Sequence, residues 1–294
     1  MEMQLSLGPL QWLWRRNKVF SFYETAADWP VEIVCLGETV CARRREMKLP
    51  DWIDLGRDLR SAGKTVVLST QVLIESEADL RALRRVCDNG EFPVEANDQS
   101  ALELVTRNQW PFITGPAVNI YNAATLMFLQ DQGLKRWCLP LELSRNTLAS
   151  IQDESASKGC VVPVEVFAWG YMPLAWSARC FTARHHGKPK DQCEFVCKQY
   201  PTGLPLRSQE TREVFTLNGI QTMSGTRYNL LSEMERMQQM GVAVVRLSPE
   251  DEGMAEVVRQ FDRARRGEPE VTDPLAMRDA TDCNGYWFGR PGMG

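Results

Sequence analysis

Val31-Glu32-Ile33-Val34-Cys35-Leu36-Gly37, then a stripe of Trp52, Leu55 and Leu59, then Lys64-Thr65-Val66-Val67-Leu68-Ser69, is the stretch whose reading decides the fold. The two flanking runs are β-branched and nearly continuous in apolar character, with no alternation. That is the pattern of strands covered on both faces, as in a parallel sheet. Between them the apolar residues recur at helical spacing, with Asp51 as the capping residue and Gly63 as the stop. The unit is therefore strand, helix, parallel strand.

The same rhythm runs outward in both directions. Upstream lie a strand at 4–7 and a helix at 17–28, with Val19, Phe20, Tyr23 and Ala26 on one face. Downstream, Ser76 and Asp79 form a capping box ahead of Leu80, Leu83 and Cys87. Strands follow at 92–96, 112–114 and 136–139, with helices at 98–107 and 122–132 and a sixth opened by Ser144. Residues 162–168 give strand seven. The rhythm resumes with a helix at 228–240, strand eight at 242–247 and a helix opened by Ser248-Pro249. Eight mostly parallel strands point to an α/β fold, a (β/α)8 TIM-barrel-like single domain over residues 1–267. An insertion at 169–226 follows strand seven, with a β-like stretch at 214–217, and a Pro- and Asp-rich tail, expected to be irregular up to Asp282, occupies 268–294.

Composition limits the function classes. A chain of 294 residues with 44% hydrophobic content can bury a large core, and a formal charge of −4 provides no basic field for nucleic acid or anionic membrane. No apolar run approaches the ~20 residues that span a bilayer, and the N-terminus lacks a signal-peptide pattern, so a cytoplasmic protein is expected.

The insertion carries the chemistry-bearing string Cys180-Phe181-Thr182-Ala183-Arg184-His185-His186, continuing to Cys193-Glu194-Phe195-Val196-Cys197. Long irregular segments in compact domains usually carry function. Of nine cysteines, Cys35, Cys87, Cys138 and Cys160 sit in or beside apolar runs and read as packing. Cys41, Cys180, Cys193, Cys197 and Cys283 do not. In a parallel barrel the loops after strands two and seven open on the same C-terminal face, so Cys41 can meet Cys180, Cys193 and Cys197 there. Cys283 follows the last helix and is expected on the opposite face, so it could take the place of Cys41 as fourth ligand only if the tail crosses over.

Four thiolates suit tetrahedral zinc or an iron-sulfur cluster. One short C-x3-C pair with two isolated ligands suits a cluster better than a single ion. Arg43-Arg44-Arg45 beside Cys41, with Arg179 and Arg184, read first as a solvated face; beside such a centre they could instead offset its negative charge or hold an anionic ligand. His185 and His186 read as loop residues. Glu95, Glu142, Asn119 and Asn122 lie near strand ends where a barrel mouth would take them, with a structural role the plainer reading. Met234, Met237 and Met240 read as packing.

The strings Ser6-Leu7-Gly8-Pro9, Leu36-Gly37-Glu38-Thr39-Val40-Cys41, Pro140-Leu141-Glu142-Leu143-Ser144-Arg145, Ser177-Ala178-Arg179-Cys180-Phe181-Thr182-Ala183-Arg184, Asn218-Gly219-Ile220-Gln221-Thr222-Met223-Ser224 and Asp282-Cys283-Asn284-Gly285-Tyr286-Trp287 resemble a bacterial member of the collagenase-like peptidase family. The resemblance implies a [4Fe-4S] cluster on Cys41, Cys180, Cys193 and Cys197 and a heterodimer with a UbiU-like homologous protein. It also implies a part in hydroxylating ubiquinone precursors without dioxygen, under anaerobic conditions. A lipid-carrier protein is the expected way of presenting so apolar a substrate. Neither His-Glu-x-x-His nor Gly-x-Ser-x-Gly occurs, so the residues do not support proteolysis. A zinc-stapled scaffold without chemistry is the competing reading.

Overall fold

A computed structural model describes residues 2–268 and 282–292. Seven parallel strands follow in order: β1 (Gln4–Leu7), β2 (Ile33–Leu36), β3 (Thr65–Ser69), β4 (Val94–Ala96), β5 (Phe112–Thr114), β6 (Leu134–Cys138) and β7 (Val164–Trp176). Three further strands are β8 (Leu204–Arg207), β9 (Glu213–Asn218) and β10 (Gln221–Asn229), and the last is β11 (Val244–Leu247). β11 pairs in parallel with both β7 and β1, which closes β1 to β7 and β11 into an eight-stranded ring. The fold is a (β/α)8 barrel, as the alternation of patterns predicted.

The ring is wrapped by α1 (Arg16–Ala26), α2 (Leu49–Ser61), α3 (Glu77–Cys87), α4 (Gln99–Arg107), α5 (Ala123–Asp131) and α6 (Arg145–Ser157). Local chemistry sets their starts. Ser76, Asp98, Asn122 and Ser144 each accept a backbone N–H of the first helical turn on the side chain. At Ser76 the bond comes from Asp79 N at 3.2 Å, and Asp79 Oδ2 accepts from Glu75 N at 3.2 Å. Ser76→Ala is expected to cost about 1 kcal/mol, a fall of about 2–4 °C in Tm by calorimetry for a chain of this size. An unchanged Tm would show that water replaces the cap.

The insertion differs from the irregular segment expected. β7 continues through Trp169 to Trp176 and pairs with β10, which pairs with β9, which pairs with β8, all antiparallel. This sheet stands on the C-terminal rim of the barrel. Pro205 belongs to β8, the free edge, where a missing N–H costs no ladder bond. Gly170 is where β7 leaves the ring: its φ is +118°, and a Cβ there would lie 2.6 Å from Ser248 Cβ.

The helix expected at 228–240 is shorter. Tyr228 and Asn229 finish β10 against Gly170 and Trp169, and Leu230 N donates to Ala168 O at 2.9 Å. Ladder bonds hold the first residues, leaving a 3-10 turn at Leu231–Glu233 and α8 at Met234–Gln239. Met234 and Met237 are buried in the core and Met240 packs against it. α9 (Met254–Arg265) completes the ring of helices.

Residues 269–281, most of the expected tail, lie outside the described residues; beyond them Gly285–Phe288 form a 3-10 turn. Cys283 is not on the opposite face. Its N donates to Arg227 O at 2.8 Å and its O accepts from Asn229 N at 3.0 Å, which fixes it beside β10 at the C-terminal rim.

Candidate metal centre

Two chain segments converge above β2 and β7. Gly37 ends β2 with a φ of +142°, and a Cβ there would lie 2.4 Å from Ser69 O, so the turn requires glycine. The chain then folds on the Glu38 carboxylate, which accepts from Val40 N at 2.9 Å and Cys41 N at 3.0 Å. Arg44 N donates back to Cys41 O at 2.9 Å. Cys41 sits at the head of this tight turn.

The second segment leaves β7 and forms α7 (Phe181–His185), with Cys180 at its N-cap and the Cys180 thiol 3.4 Å from Ala183 N. The Cys string is therefore partly helical rather than a plain loop. Thr182 fastens it to the antiparallel sheet, since Thr182 Oγ1 accepts from Gly219 N at 3.0 Å. Between Cys193 and Cys197 the chain passes through Glu194 and Phe195 at φ +49° and +54°. Two successive non-glycine residues in the left-handed region cost energy that the surroundings must offset, and such strain gathers at functional sites.

The result is one cavity lined by Cys41, Cys180, Cys193 and Cys197. Arg43, Arg44 and Lys190 line it too. Arg44 is almost wholly buried; its guanidinium donates to Gln11 O at 2.8 Å and to Asn218 Oδ1 at 2.6 Å. Arg43 Nε is buried without a hydrogen-bond partner among the described residues. Burial raises the Cys41 and Cys197 thiols above their ordinary range, against the downward pull of Arg44 on each. Burial likewise raises the Glu38 carboxyl, opposed by Arg44. All nine cysteines are free thiols. Among the described residues, no three His, Cys, Asp or Glu are grouped as a single metal ion would need.

The other expected residues go elsewhere. Arg45 is exposed and lies outside this cavity, as do the exposed Arg179 and Arg184. His185 is exposed, and His186 Nε2 shares a hydrogen bond with Tyr200 Oη at 2.9 Å. Neither ring hydrogen-bonds a Ser, Thr or Cys among the described residues. Asn119 is exposed and Asn122 is spent on the α5 cap. Glu142 accepts from Tyr121 Oη on the surface. Cys35, Cys87, Cys138 and Cys160 are buried, in keeping with packing.

Glu95 points into the barrel rather than standing free at its mouth. It accepts from Ser69 Oγ at 3.0 Å and pairs with Arg246. Arg246 also donates to Glu165 at 2.8 Å, and Glu165 is further held by Arg136 at 2.8 Å and Ser6 Oγ at 2.6 Å. Burial alone would raise the Glu165 carboxyl, but Arg246 and Arg136 bring it down to about 2. Sequence reasoning missed Glu165 and Arg246. The available signal was a charged residue within each apolar barrel strand, Val164-Glu165-Val166 and Val245-Arg246-Leu247.

The sequence pattern of peptidase family U32 matches residues 15–269. Among solved structures, a dihydropteroate synthase from Thermus thermophilus is 12% identical with a TM-score of 0.45, over 89% of this chain and 94% of that one. A 3-hexulose-6-phosphate synthase is 10% identical with a TM-score of 0.45, over 91% and 100%. A glycerophosphodiester phosphodiesterase from Parabacteroides distasonis ATCC 8503 is 7% identical with a TM-score of 0.46, over 90% and 98%. Likenesses this distant carry no argument about activity.

Proposed function

The chain belongs to peptidase family U32, and from that premise we propose that it is an iron-sulfur protein rather than a protease. We propose that it is one subunit of an O2-independent system that hydroxylates ubiquinone precursors under anaerobic conditions. Its cofactor is a [4Fe-4S] cluster on Cys41, Cys180, Cys193 and Cys197, and its partner is a UbiU-like homologous protein in a heterodimer. The short strings that resemble those of UbiV are what supports the pathway and the partner. The observation that carries the cluster is that four thiols from two distant segments line one cavity walled by cations.

The residues fit the group. Four cysteines are a full ligand set for [4Fe-4S], and thiolates around a cluster accumulate negative charge that neighbouring cations reduce. Arg44 and Lys190 supply that charge, and the unpartnered Arg43 Nε–H is free to donate to a sulfur of the site. One short C-x3-C pair with two isolated cysteines suits a cluster better than the paired short-spaced knuckles typical of structural zinc.

Bound there, the cluster would supply one-electron transfer, since four protein ligands leave no iron position open to substrate. The chain's own part is to hold and shield it. Glu38 fixes the Cys41 turn, Thr182 anchors α7, and Arg44 ties the site through Gln11 to the start of the chain. No described helix is long and apolar enough to cross a membrane, so the carrier and partner proteins are assigned the delivery of the apolar substrate.

Anaerobic purification decides this. We expect a coloured protein with sulfide-to-iron charge-transfer absorption, about four iron and four acid-labile sulfide per chain, and co-purification with the UbiU-like protein when both are expressed. A colourless protein holding one zinc and no labile sulfide would end the proposal in favour of a stapled scaffold.

A further inference from the structure

Between α2 and α3 the barrel leaves a groove of about 920 Å3, open along one side. α1 packs against α2 and α3 against α4, but this hollow holds α2 and α3 apart. Its walls are helices of 13 and 11 residues, about 16–20 Å long. Leu36 and Leu68, at the ends of β2 and β3, make an apolar floor with Trp52 and Leu83. α3 turns to the groove Ala78, Arg81, Ala82 and Arg85, which share one face at i, i+3, i+4 and i+7. The two alanines leave room for another helix backbone to come close, since the side chains at a contact set the distance between helices.

The charges around the groove are unmatched. Arg81 and Arg85 are like charges one turn apart, an arrangement that destabilises a helix unless an anion meets them. Both are exposed, as is Arg45 ahead of α2, and none of the three has a carboxylate partner among the described residues. Elsewhere on these helices the arginines are paired: Arg57 with Asp54 and Glu91, Arg60 with Glu91, and Arg84 with Glu77. The two carboxylates that line the groove are engaged, Glu38 with the Cys41 turn and Asp79 with Glu75 N. In a chain of net charge −4, the unmatched positive charge of this region is confined to the edges of one apolar groove.

We propose that the groove is a docking site for an acidic, amphipathic α-helix of a partner protein. The apolar stripe of that helix lies on the floor, as in other helix-in-groove complexes. Carboxylates three or four residues apart along its flank pair with Arg81 and Arg85, and one on the other flank pairs with Arg45. Three to four turns match the walls. A single small anion leaves most of these arginines unmatched, and a bilayer presents a broad face that a recessed floor does not meet. The assignment uses none of the four cysteines, so it stands apart from the cluster.

The test places the photoreactive residue p-benzoylphenylalanine at Ala78, exposed at the groove edge, or at Ser150, exposed on α6, in the full chain expressed in its native host. The Ala78 position is expected to yield a crosslinked partner peptide that Ser150 does not yield. That peptide should carry an apolar stripe at helical spacing flanked by Asp or Glu three or four residues apart. Arg81→Glu with Arg85→Glu is expected to cut the crosslink about tenfold or more with circular dichroism unchanged, and Arg45→Glu, outside both helices, to act in the same direction. A synthetic peptide of the crosslinked sequence, titrated into the full chain by calorimetry, should bind less tightly as salt rises. It should also lose affinity for the charge-reversed chain and regain it when its own carboxylates are exchanged for lysine. No crosslink, a crosslink to lipid or nucleic acid, a peptide without the acidic pattern, or indifference to charge reversal would each overturn the docking site. Iron is counted on the same chain: full iron with no crosslink sinks the docking site alone, and a crosslink without iron upholds it and sinks the cluster.

Discussion

Replacing any one of Cys41, Cys180, Cys193 or Cys197 by alanine is expected to take anaerobically purified protein from about four iron per chain to near none, and to abolish anaerobic quinone synthesis in cells. The geometry makes the four equivalent although their positions in the chain are not. Cys41 comes from the turn after β2, and the other three come from the segment between β7 and β8; all line the same cavity. Removing one thiolate leaves three, and a cluster with an incomplete protein shell is open to solvent at one iron. The comparison that gives the panel its force is with the cysteines that are not at the cavity. Cys283 also stands at the C-terminal rim, but it is held against Arg227 and Asn229 of β10 and does not line the cavity, so Cys283→Ala should keep its iron. Cys160→Ala should do likewise. If Cys283→Ala loses iron while Cys41→Ala keeps it, the ligand set is wrong; if all the variants keep it, there is no cluster here. Circular dichroism on each variant separates loss of iron from loss of fold.

The barrel was legible because its signals are local. A run such as Val66-Val67-Leu68 announces a doubly covered strand, and Ser76 with Asp79 announces a helix start, without reference to anything distant. The candidate centre was half legible for a different reason: once strands two and seven are placed, the direction of a parallel barrel brings Cys41 towards Cys180, Cys193 and Cys197. What was not legible depends on long-range pairing. β8 and β10 are stabilised by neighbours rather than by propensity, so Pro205 and Gly225 read as breakers in isolation. The helix expected from 228 loses its first residues to the same ladder. Cys283 returned to the C-terminal rim because Arg227 and Asn229, on either side of Tyr228, offer it backbone partners there, which no rule of helix direction contains. The barrel interior escaped for the opposite reason. Glu95 reads as a structural carboxylate in the sequence, but its partner cannot be named there and Arg246 passes unremarked, since an ion pair is invisible until both strands are in register.

That interior ion cluster gives the second large effect. Arg246→Met is expected to destabilise the protein by about 3–5 kcal/mol, because it strands two buried carboxylates rather than removing a surface charge. Glu95 and Glu165 are both wholly buried, and Arg246 is the group that faces both. Arg136 remains for Glu165, but among the described residues the Glu95 side chain keeps only Ser69 and Asn97. Adding Glu95→Gln to Arg246→Met should therefore recover part of the loss, since it leaves one uncompensated charge fewer. The pH dependence follows from the sign of the Glu165 shift. Its carboxyl lies lower in the folded protein, at about 2, than its ordinary value of 4.5. The folded state then binds fewer protons than the unfolded state in that interval, so this contribution is complete above the ordinary value and is lost as pH falls from there towards 2. In Arg246→Met the depression shrinks, and this part of the acid-side slope should flatten even as the total stability at neutral pH drops. Urea unfolding at pH 7, at about pH 4 and at about pH 3 measures both. A variant within about 1 kcal/mol of the parent at pH 7 would mean that the barrel floor admits water, and that the pairing of Arg246 with Glu95 and Glu165 contributes far less than a dry interior requires.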